Sequence, residues 1–335
     1  MKALVTGATG FLGSHIVDRL LERGDGVRAL VRAGADASYL GSRDVELVPG
    51  DITRPGSLPA AVAGADIVYH AAANVTDWDP WRRFQDDTIA GTRNLLQASV
   101  AAGVPRFLHI STDGVYALGA LSKGITEDSR LERRFGWLDY YRRAKLAAEK
   151  IARRGGGRIA VAIVRPGLLL GERDRAVLPG VVAFLKSRSA MYLGDPGNRL
   201  PYVYAGDVAA ACVLAATNEQ AAGRIYNVVS DEHVTQRDLL GAVAEATGLR
   251  PPRRSAPFRA AYGLATAMEA WGVLRGRRRR PELTRFGVNL LGLDYQEDAS
   301  RIGAELGWQA EVPMREAVRR SVEWAGSRRP QRVGG

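Results

Sequence analysis

A tyrosine and a lysine four residues apart, Tyr141 and Lys145, open a segment with helical periodicity. Residues at i and i+4 lie on one face of a helix, so the phenol and the ammonium can converge on one ligand. The pair suits the interconversion of a carbonyl and an alcohol, because a nearby cation stabilises a phenolate whose unperturbed pKa is about 10. The same spacing is also common in ordinary surface pairs, so the fold has to support the chemistry.

A strand-like run at residues 107–110 is followed directly by two residues with hydroxyl groups and an acid, Ser111, Thr112 and Asp113. Ligands of parallel α/β sheets bind at the carboxyl ends of the strands. A hydroxyl at Thr112 can therefore hold a substrate oxygen and orient it against the phenol of Tyr141. The alternative is that these hydroxyls hydrogen-bond their own turn.

Three glycines, Gly7, Gly10 and Gly13, lie where the first strand-like run passes into a helical segment. This spacing and position are typical of the turn that binds the pyrophosphate of a dinucleotide. The first glycine allows the tight turn, the second lets the backbone approach the phosphates, and the third lets the helix pack on the strand. The helix N-terminus supplies N–H groups to the phosphates.

The second strand-like run ends at Arg32, where a site that prefers NAD(H) usually has an acid for the ribose 2′-hydroxyl. The next acid is Asp36. Because a guanidinium suits a 2′-phosphate, the sequence favours NADP(H) as the cofactor, with NAD(H) as the alternative. A solvated arginine at a strand end is the other interpretation.

Strands alternate with helices through the first half of the chain, which predicts βαβ crossovers and a parallel sheet covered on both faces. The β-rich runs lie at 3–6, 27–31, 45–48, 67–70, 107–110 and 159–164, and the clearest helices at 12–23, 93–102 and 141–153. The predicted fold class is α/β, with a Rossmann-type doubly wound parallel sheet and a smaller C-terminal substrate domain. We expect a cofactor domain over 1–165, to which 201–230 contribute elements, and a mainly substrate-binding domain over 166–330.

The composition is that of an ordinary globular protein, with 335 residues, 46% hydrophobic and 25% charged. The single cysteine, Cys212, cannot form an intramolecular disulfide, which favours a reducing compartment such as the cytoplasm. The four histidines are scattered, so we expect no metal site. The N-terminal apolar run is interpreted as a strand rather than a signal peptide, because it breaks at Thr6 and Gly7.

The formal net charge of +11 is concentrated in residues 251–280, which contain eight arginines and a single acid, Glu269. An apolar stretch, 258–274, lies between the arginine clusters. One interpretation is a solvated charge run beside an ordinary core helix. The others are peripheral contact with an anionic membrane and recognition of an anionic group. We expect no nucleic-acid partner, because no aromatic-basic interleaving or known reader motif is present.

The glycine turn, the hydroxyl motif and the Tyr-Lys pair, in this order, resemble an extended short-chain dehydrogenase/reductase of the NAD-dependent epimerase/dehydratase superfamily. The resemblance covers nearly the whole chain and places the family's catalytic Ser/Thr, Tyr and Lys at Thr112, Tyr141 and Lys145. It implies that the cofactor is also held by Tyr141 and Lys145 together with residues of several other motifs. Those residues are Gly7, Thr9, Gly10, Phe11, Leu12, Arg32, Asp51, Ile52, Ala71, Ala72, Ala73, Pro166 and Gly167.

Departures from the family pattern bear on the substrate. Dehydratases of nucleotide sugars carry an Asp-Glu pair after the threonine, whereas here Asp113 is followed by a glycine. Two polar diphosphate contacts of sugar-nucleotide epimerases correspond to Leu168 and Leu200, with Arg199 one residue out of place. These departures favour a more apolar substrate, for which Asp113 and Leu168 are the expected contacts.

The strand-end Arg32 is similar to that of dihydroflavonol-reductase-like enzymes, and the segment 281–308 resembles bacterial 3β-hydroxysteroid-dehydrogenase-like members. The implied activity is NAD(P)-dependent interconversion of a ketone and a secondary alcohol on a steroid-, flavonoid- or polyketide-like molecule. Tyr141 would exchange the proton, Thr112 would hold the oxygen, and Lys145 would bind the ribose and lower the Tyr141 pKa. The alternatives are a sugar-nucleotide epimerase with tightly bound NAD and a non-catalytic NADPH-sensing protein. The resemblance also implies a homodimer, formed through helices that include the one bearing Tyr141.

Overall fold

The computed structural model describes residues 1–120, 124–187 and 189–327. Its strands are β1 (Lys2–Thr6), β2 (Gly26–Val31), β3 (Val45–Pro49), β4 (Ile67–His70), β5 (Arg106–Ile110), β6 (Ala160–Pro166), β7 (Leu168–Leu170), β8 (Tyr192–Leu193), β9 (Tyr202–Tyr204), β10 (Ile225–Val228) and β11 (Ser255–Ala256). Its α-helices are α1 (Phe11–Glu22), α2 (Ser38–Gly41), α3 (Pro59–Val62), α4 (Trp81–Phe84), α5 (Gly91–Ala101), α6 (Tyr140–Gly155), α7 (Val177–Lys186), α8 (Ala205–Thr217), α9 (Gln236–Thr247), α10 (Phe258–Leu274), α11 (Arg285–Gly292), α12 (Ser300–Leu306) and α13 (Met314–Ser327). A π-helical segment, Gln85–Ala90, joins α4 to α5.

The main sheet has seven parallel strands in the order β3-β2-β1-β4-β5-β6-β10. This confirms the predicted doubly wound sheet. The strand order reverses between β1 and β4, and ligands of such sheets bind in the crevice at that reversal. The carboxyl ends of β1, β4, β5 and β6 therefore meet at one edge of the sheet, where the predicted site residues follow them.

Alternate side chains of the strands pack into two apolar layers, one on each face of the sheet, because successive residues of a strand point to opposite faces. On one face Val5, Tyr69 and Leu108 pack with residues of α1 and α8. On the other face Leu4 and Phe107 pack with residues of α3, α5 and α6. The sheet is thus buried on both sides, as expected of a wholly parallel sheet.

The C-terminal part of the chain is divided between two places. Helix α8 packs in the layer next to α1, and β10 pairs with β6 at the edge of the sheet. A separate apolar cluster joins β7, β9, α7, α9 and α13, and a smaller one joins β8, α10 and α11. Residues 328–330 of the predicted substrate domain lie outside the described residues.

Helix α10 is 17 residues long, and no helix among the described residues is long and apolar enough to cross a membrane.

Candidate active site

The turn after β1 has little room for side chains. Gly7 has a positive φ of 71°, and a Cβ at this position would lie 2.8 Å from the carbonyl carbon of Ala71. A Cβ at Gly13 would lie 2.1 Å from the Gly7 carbonyl oxygen, so a side chain there would separate α1 from the turn. The helix N-terminus is therefore held directly against the strand end, as a pyrophosphate cradle requires. Thr9, Phe11 and Leu12 are partly buried around the turn, and Gly10 is exposed.

A buried column of hydrogen bonds fixes this turn against β4 and α5. The hydroxyl of Thr6 is 2.9 Å from Nδ1 of His70, and Nε2 of His70 is 2.8 Å from the hydroxyl of Thr92. Thr92 donates to the Thr88 carbonyl at 2.7 Å, so it must accept from Nε2–H of His70. His70 is then neutral, consistent with burial, which lowers its pKa to about 3. The column sets the spacing between the glycine turn and Ala71, Ala72 and Ala73, which are partly buried.

The segment after β3 borders the crevice at the place where the family resemblance implies contact with the adenine. Asp51 accepts hydrogen bonds from the backbone N–H and the hydroxyl of Thr53 at 2.8 and 2.9 Å. Ile52 is buried, and a Cβ at Gly91 would lie 2.6 Å from its Cδ1. The start of α5 therefore packs closely on this segment and holds it beside the crevice.

Arg32 is exposed at the end of β2, next to this segment. Burial raises the pKa of Asp87, and the positive charge of Arg32 partly opposes this shift, so the two side chains are near each other. The next acid along the chain, Asp36, lies 3.8 Å from the guanidinium of Arg175. The end of β2 therefore carries a cation, and the nearest acid in sequence already has an arginine partner.

Thr112, Tyr141 and Lys145 come together at the carboxyl end of β5. Thr112 caps a short 3-10 turn by accepting from the N–H of Gly114 at 3.2 Å, and its hydroxyl donates to Asp113 at 2.9 Å. The same hydroxyl lies close enough to the phenol of Tyr141 to lower its pKa slightly against the effect of burial. Lys145 is one helical turn further along α6 and donates to the carbonyl of Ile110 at 2.5 Å. The interpretation that the Thr112 hydroxyl serves its own turn is therefore confirmed, while its role toward a substrate oxygen stays a prediction.

The expectation that Lys145 lowers the pKa of Tyr141 is wrong for this structure. Burial raises the pKa of Tyr141 to about 12, which outweighs the opposing effect of the nearby Thr112 hydroxyl. Burial also lowers the pKa of Lys145 to about 8, against the opposing effect of the Glu149 carboxylate. The sequence pattern shows the spacing of the pair but not the loss of hydration, which decides both values.

His109 lies buried on the same side of the sheet as Lys145. Its pKa is well below the ordinary value, because burial, the Lys145 ammonium and His70 all disfavour its charged form. The rings of His70 and His109 are 5.5 Å apart. Lys145 therefore supplies the positive charge in this part of the site.

A buried ion pair that the sequence analysis did not identify lies next to Thr112, Tyr141 and Lys145. Glu149 and Arg165 are 2.6 Å apart, with side chains 0% and 1% exposed. The hydroxyl of Ser111 donates to Glu149 at 2.6 Å, and Arg165 donates to the phenol oxygen of Tyr116 at 2.8 Å. The spacing Tyr141, Lys145, Glu149, four residues each time, was the available signal, because it puts all three on one face of α6.

Arg142 holds the loop that carries Thr112 and Asp113. It donates to the carbonyls of Gly114 and Tyr116 at 2.6 and 2.7 Å and to the carboxylate of Asp139 at 2.7 Å. This side chain was not identified from the sequence either, because its partners are backbone carbonyls that leave no sequence pattern.

A second carboxyl group lies against Asp113. Glu297, which lies two residues after Tyr295 and shortly before α12, has both carboxylate oxygens buried without a hydrogen-bond partner, and its carboxyl group interacts electrostatically with that of Asp113. Burial and the nearby Asp113 charge raise the pKa of Glu297 well above its usual range. Asp113 therefore has a buried carboxyl group beside it that comes from a part of the chain distant in sequence.

The segment after β6, where the sequence analysis expects a substrate contact at Leu168, is apolar. A Cβ at Gly167 would lie 2.1 Å from the Pro201 carbonyl oxygen, so β6 and the segment before β9 are in close contact. Leu168 and Leu200 are buried together in one cluster, and Arg199 is 3.4 Å from the Asp294 carboxylate. The displaced arginine is therefore already paired, and leucines occupy the two positions that are polar in the epimerases. Pro166 is also buried, at the end of β6.

The crevice fits a dinucleotide. The turn at Gly7 and Gly13 leaves no room for a Cβ, and the predicted cofactor residues line the same edge of the sheet. The side chain of Phe286 completes the catalytic end, with its ring 5.8 Å from that of Tyr141 in an edge-on arrangement.

Comparisons with known proteins agree with this geometry. A 2-alkyl-3-oxoalkanoate reductase from Shewanella oneidensis is 29% identical, over 95% of this chain and 84% of its own length. A 3 beta-hydroxysteroid dehydrogenase/Delta 5-->4-isomerase from Mycobacterium tuberculosis is 30% identical, over 92% of this chain and 86% of its own. The crystal structure of DesIV, a dTDP-glucose 4,6-dehydratase from Streptomyces venezuelae with NAD bound, superposes with a TM-score of 0.76 at 26% identity, covering 98% of both chains. The family model of the NAD dependent epimerase/dehydratase family matches residues 3–228, and the chain belongs to that family.

Proposed function

We propose that the protein is an NADP(H)-dependent oxidoreductase that interconverts a ketone and a secondary alcohol on an apolar or amphipathic small molecule. The observation that carries the proposal is the convergence of Thr112, Tyr141 and Lys145 at the carboxyl end of β5. The names of the relatives give further support, because they include a reductase of oxoalkanoates and a dehydrogenase of hydroxysteroids.

In the reductive direction the Tyr141 phenol is the proton donor. With a pKa of about 12 it keeps its proton at neutral pH, so it can protonate the oxygen of a ketone as that oxygen gains negative charge. Thr112 orients the same oxygen through its hydroxyl. The bound nicotinamide supplies the hydride in this direction and accepts it in the other.

Lys145 holds a positive charge between the phenol and the cofactor side of the crevice. Its pKa of about 8 leaves the ammonium mostly protonated at neutral pH, where it can donate to the ribose hydroxyls of the cofactor. Gly7, Gly10 and the N-terminus of α1 would receive the pyrophosphate, and Asp51 and Ile52 would border the adenine.

The preference for NADP(H) rests on Arg32. A guanidinium at the end of β2 pairs well with a 2′-phosphate, and the acid nearest in sequence, Asp36, faces Arg175. The apolar substrate is supported by Leu168 and Leu200 and by the ring of Phe286 against Tyr141. A sugar diphosphate would meet leucines where the epimerases have polar contacts.

A direct assay separates this activity from sugar-nucleotide epimerisation. The purified protein is incubated with NADPH and a panel of hydroxysteroid-derived ketones, 3-oxoalkanoates and flavanonols, and NADPH consumption is measured. In parallel, the melting temperature is measured with and without a UDP- or dTDP-sugar. We expect NADPH consumption with at least one apolar ketone and no stabilisation by the sugar nucleotides. Stabilisation by a sugar nucleotide together with no consumption of NADPH would favour the epimerase instead.

A further inference from the structure

Helix α10 presents an apolar stripe to the outside of the molecule. Ala260, Leu264, Ala267, Trp271 and Leu274 are all exposed and are spaced by four, three, four and three residues. This spacing places them on one face of the helix. The large members are 57%, 56% and 80% exposed for Leu264, Trp271 and Leu274, values that are unusual for side chains of this size. We call these five residues the α10 stripe.

Exposed arginines flank the α10 stripe at both ends. Arg253, Arg254 and Arg259 lie at the N-terminal end, and Arg275, Arg278 and Arg279 lie at the C-terminal end. The guanidinium of Arg275 is 4.5 Å from the centre of the Trp271 ring, so a cation sits directly on the largest apolar side chain of the stripe.

The opposite face of α10 is fixed to the protein. Glu269, the single acid of residues 251–280, is buried and pairs with Arg285 at 2.6 Å. Arg277 donates to the carbonyls of Trp78 and Asp79, and Arg280 pairs with Asp77 at 2.6 Å. Glu269 therefore holds α10 to the protein, and Arg277 and Arg280 hold the segment that follows it. The other six arginines of residues 251–280 are exposed.

We propose that the α10 stripe and its six flanking arginines dock the protein on the surface of an anionic lipid bilayer. An anionic bilayer fits this face of the protein, because its acyl chains can contact the apolar stripe and its negative headgroups can contact the arginines at both ends. A tryptophan at the junction of apolar and basic residues suits the bilayer interface. An acidic protein would match the arginines but not a stripe of leucine, tryptophan and alanine that has no polar member.

The inward face of α10, opposite to the stripe, is connected to the residues around Tyr141. A Cβ at Gly272 of α10 would lie 2.8 Å from the ring of Trp78, and Arg285, which holds Glu269, is followed by Phe286 against Tyr141. The docking itself does not depend on the substrate proposed above.

Vesicle flotation tests the proposal without any enzymatic assay. The full chain is mixed with phosphatidylcholine vesicles or with vesicles that also contain phosphatidylglycerol, at low and at high salt. One variant carries Leu264→Ser, Trp271→Ser and Leu274→Ser, and its control carries Leu47→Ser and Leu214→Ser, two exposed leucines outside α10. A second variant carries Arg278→Glu and Arg279→Glu, and its control carries Arg153→Glu and Arg154→Glu, an exposed pair on α6. Circular dichroism and melting temperature confirm that each variant is folded.

We expect the wild type to float with the anionic vesicles and to be released at high salt, where the screening length falls from about 10 Å at 0.1 M to about 3 Å at 1 M. Both α10 variants should bind the anionic vesicles at least about tenfold more weakly, and both controls should bind like the wild type. Equal binding to neutral vesicles, or unchanged binding of either α10 variant, would contradict the proposal. So would a serine variant that loses self-association in light scattering but keeps vesicle binding, because the stripe would then be an interface between copies of this chain.

Discussion

Tyr141 and Lys145 occupy the same face of α6, yet burial shifts their pKa values in opposite directions. Removal of water disfavours the charged form of each group, which is the phenolate in one case and the ammonium in the other. The pKa of Tyr141 rises to about 12 and that of Lys145 falls to about 8. At neutral pH the site therefore holds a protonated phenol beside a mostly protonated amine, which is the state that a reductase needs before it reacts.

Removal of the phenol should abolish proton donation and leave the cofactor cradle intact. For Tyr141→Phe we expect the rate of ketone reduction to fall by about 10²- to 10⁴-fold, because a positioned general acid contributes that much. The dissociation constant for NADPH, measured by fluorescence titration, should stay close to that of the wild type. Tyr140→Phe is the matched control, since its ring packs on Trp81 and Phe84 outside the catalytic group. Near-wild-type turnover of Tyr141→Phe would refute the assigned role.

The rate of reduction should fall as the pH rises through about 8, because Lys145 then loses the proton that it donates to the ribose. Tyr141 does not contribute to this decrease, since its pKa lies far higher. The measurement is the pH dependence of kcat/KM with a ketone substrate. Lys145→Arg, which stays protonated throughout, should remove the decrease near pH 8 even if its absolute rate is lower. A decrease at the same pH in this variant would assign it to another group.

Reversal of the charge at residue 32 should change the cofactor preference. For Arg32→Glu we expect NADPH to bind about 10- to 100-fold more weakly, because a charge-assisted hydrogen bond to the 2′-phosphate is replaced by repulsion. NADH binding should be unchanged or tighter. Titration of both nucleotides by fluorescence checks this without turnover, with Arg153→Glu as the control for a change in net charge. Equal weakening for the two nucleotides would mean that Arg32 does not face the 2′-position.

The sequence predicts Thr112, Tyr141 and Lys145 but misses the residues that hold them. Glu149 shares the spacing of the pair and was detectable in principle. Arg142 and Glu297 were not, because one binds backbone carbonyls and the other reaches Asp113 from a distant part of the chain. Contacts of this kind depend on the tertiary fold, which has no local signature in the sequence.

At the scale of elements, α6 is tied to its neighbours by the buried pair Glu149 and Arg165. Ser111 after β5 also binds this pair, and Arg165 reaches Tyr116, whose hydroxyl donates to Asn227 of β10 at 2.5 Å. The network therefore joins a helix, the end of β5 and two further strands directly under the catalytic groups. Its side chains are satisfied by hydrogen bonds, as burial of charge requires.

Breaking this network should destabilise the fold strongly. For Glu149→Gln we expect the free energy of unfolding to fall by about 3–5 kcal/mol, because the Arg165 guanidinium is left buried without a counter-ion. Urea denaturation followed by circular dichroism measures the change. Glu245→Gln is the matched control, since its pair with Arg315 is exposed and should contribute only about 0–1 kcal/mol. Similar losses in the two variants would contradict the structural role of the buried pair.

The long, strongly patterned elements were predictable, whereas most of the short ones were not, with the three-residue strand β9 (Tyr202–Tyr204) as an exception. The first six predicted strands match β1 to β6, and the apolar stretch 258–274 is the helix α10. The strands β7, β8 and β11 have three residues or fewer, and α2, α3 and α4 have four each. Runs this short carry no period, and their structure depends on pairing with distant segments, as when Leu168 pairs with Tyr202.

At the scale of the whole molecule, the positive charge also bears on self-association. The exposed residues of α6 are Arg143, Lys150, Arg153 and Arg154, all of them basic. A homodimer formed through this helix, as the family resemblance implies, would bring like charges together. We therefore expect the dimer to become tighter as the ionic strength rises.

Size-exclusion chromatography with light scattering, at low and high salt, measures this dependence. Replacement of Arg153 and Arg154 by glutamine should tighten the dimer at low salt, and the same change at Arg278 and Arg279 should not. A dimer that dissociates as salt is added would show that its interface lies elsewhere or is held by opposite charges.

The residues of the candidate site are synthesised in the order in which they occur along the chain, so its two halves are completed at different times. The cradle for the dinucleotide is built from residues that leave the ribosome early, starting with Gly7, whereas Phe286 and Glu297 complete the catalytic end much later. A nascent chain can therefore acquire its nucleotide-binding half before it has a pocket for a substrate. The cofactor can then stabilise the partly made protein, as any ligand of a folded unit does, while the reaction has to wait for the last segments.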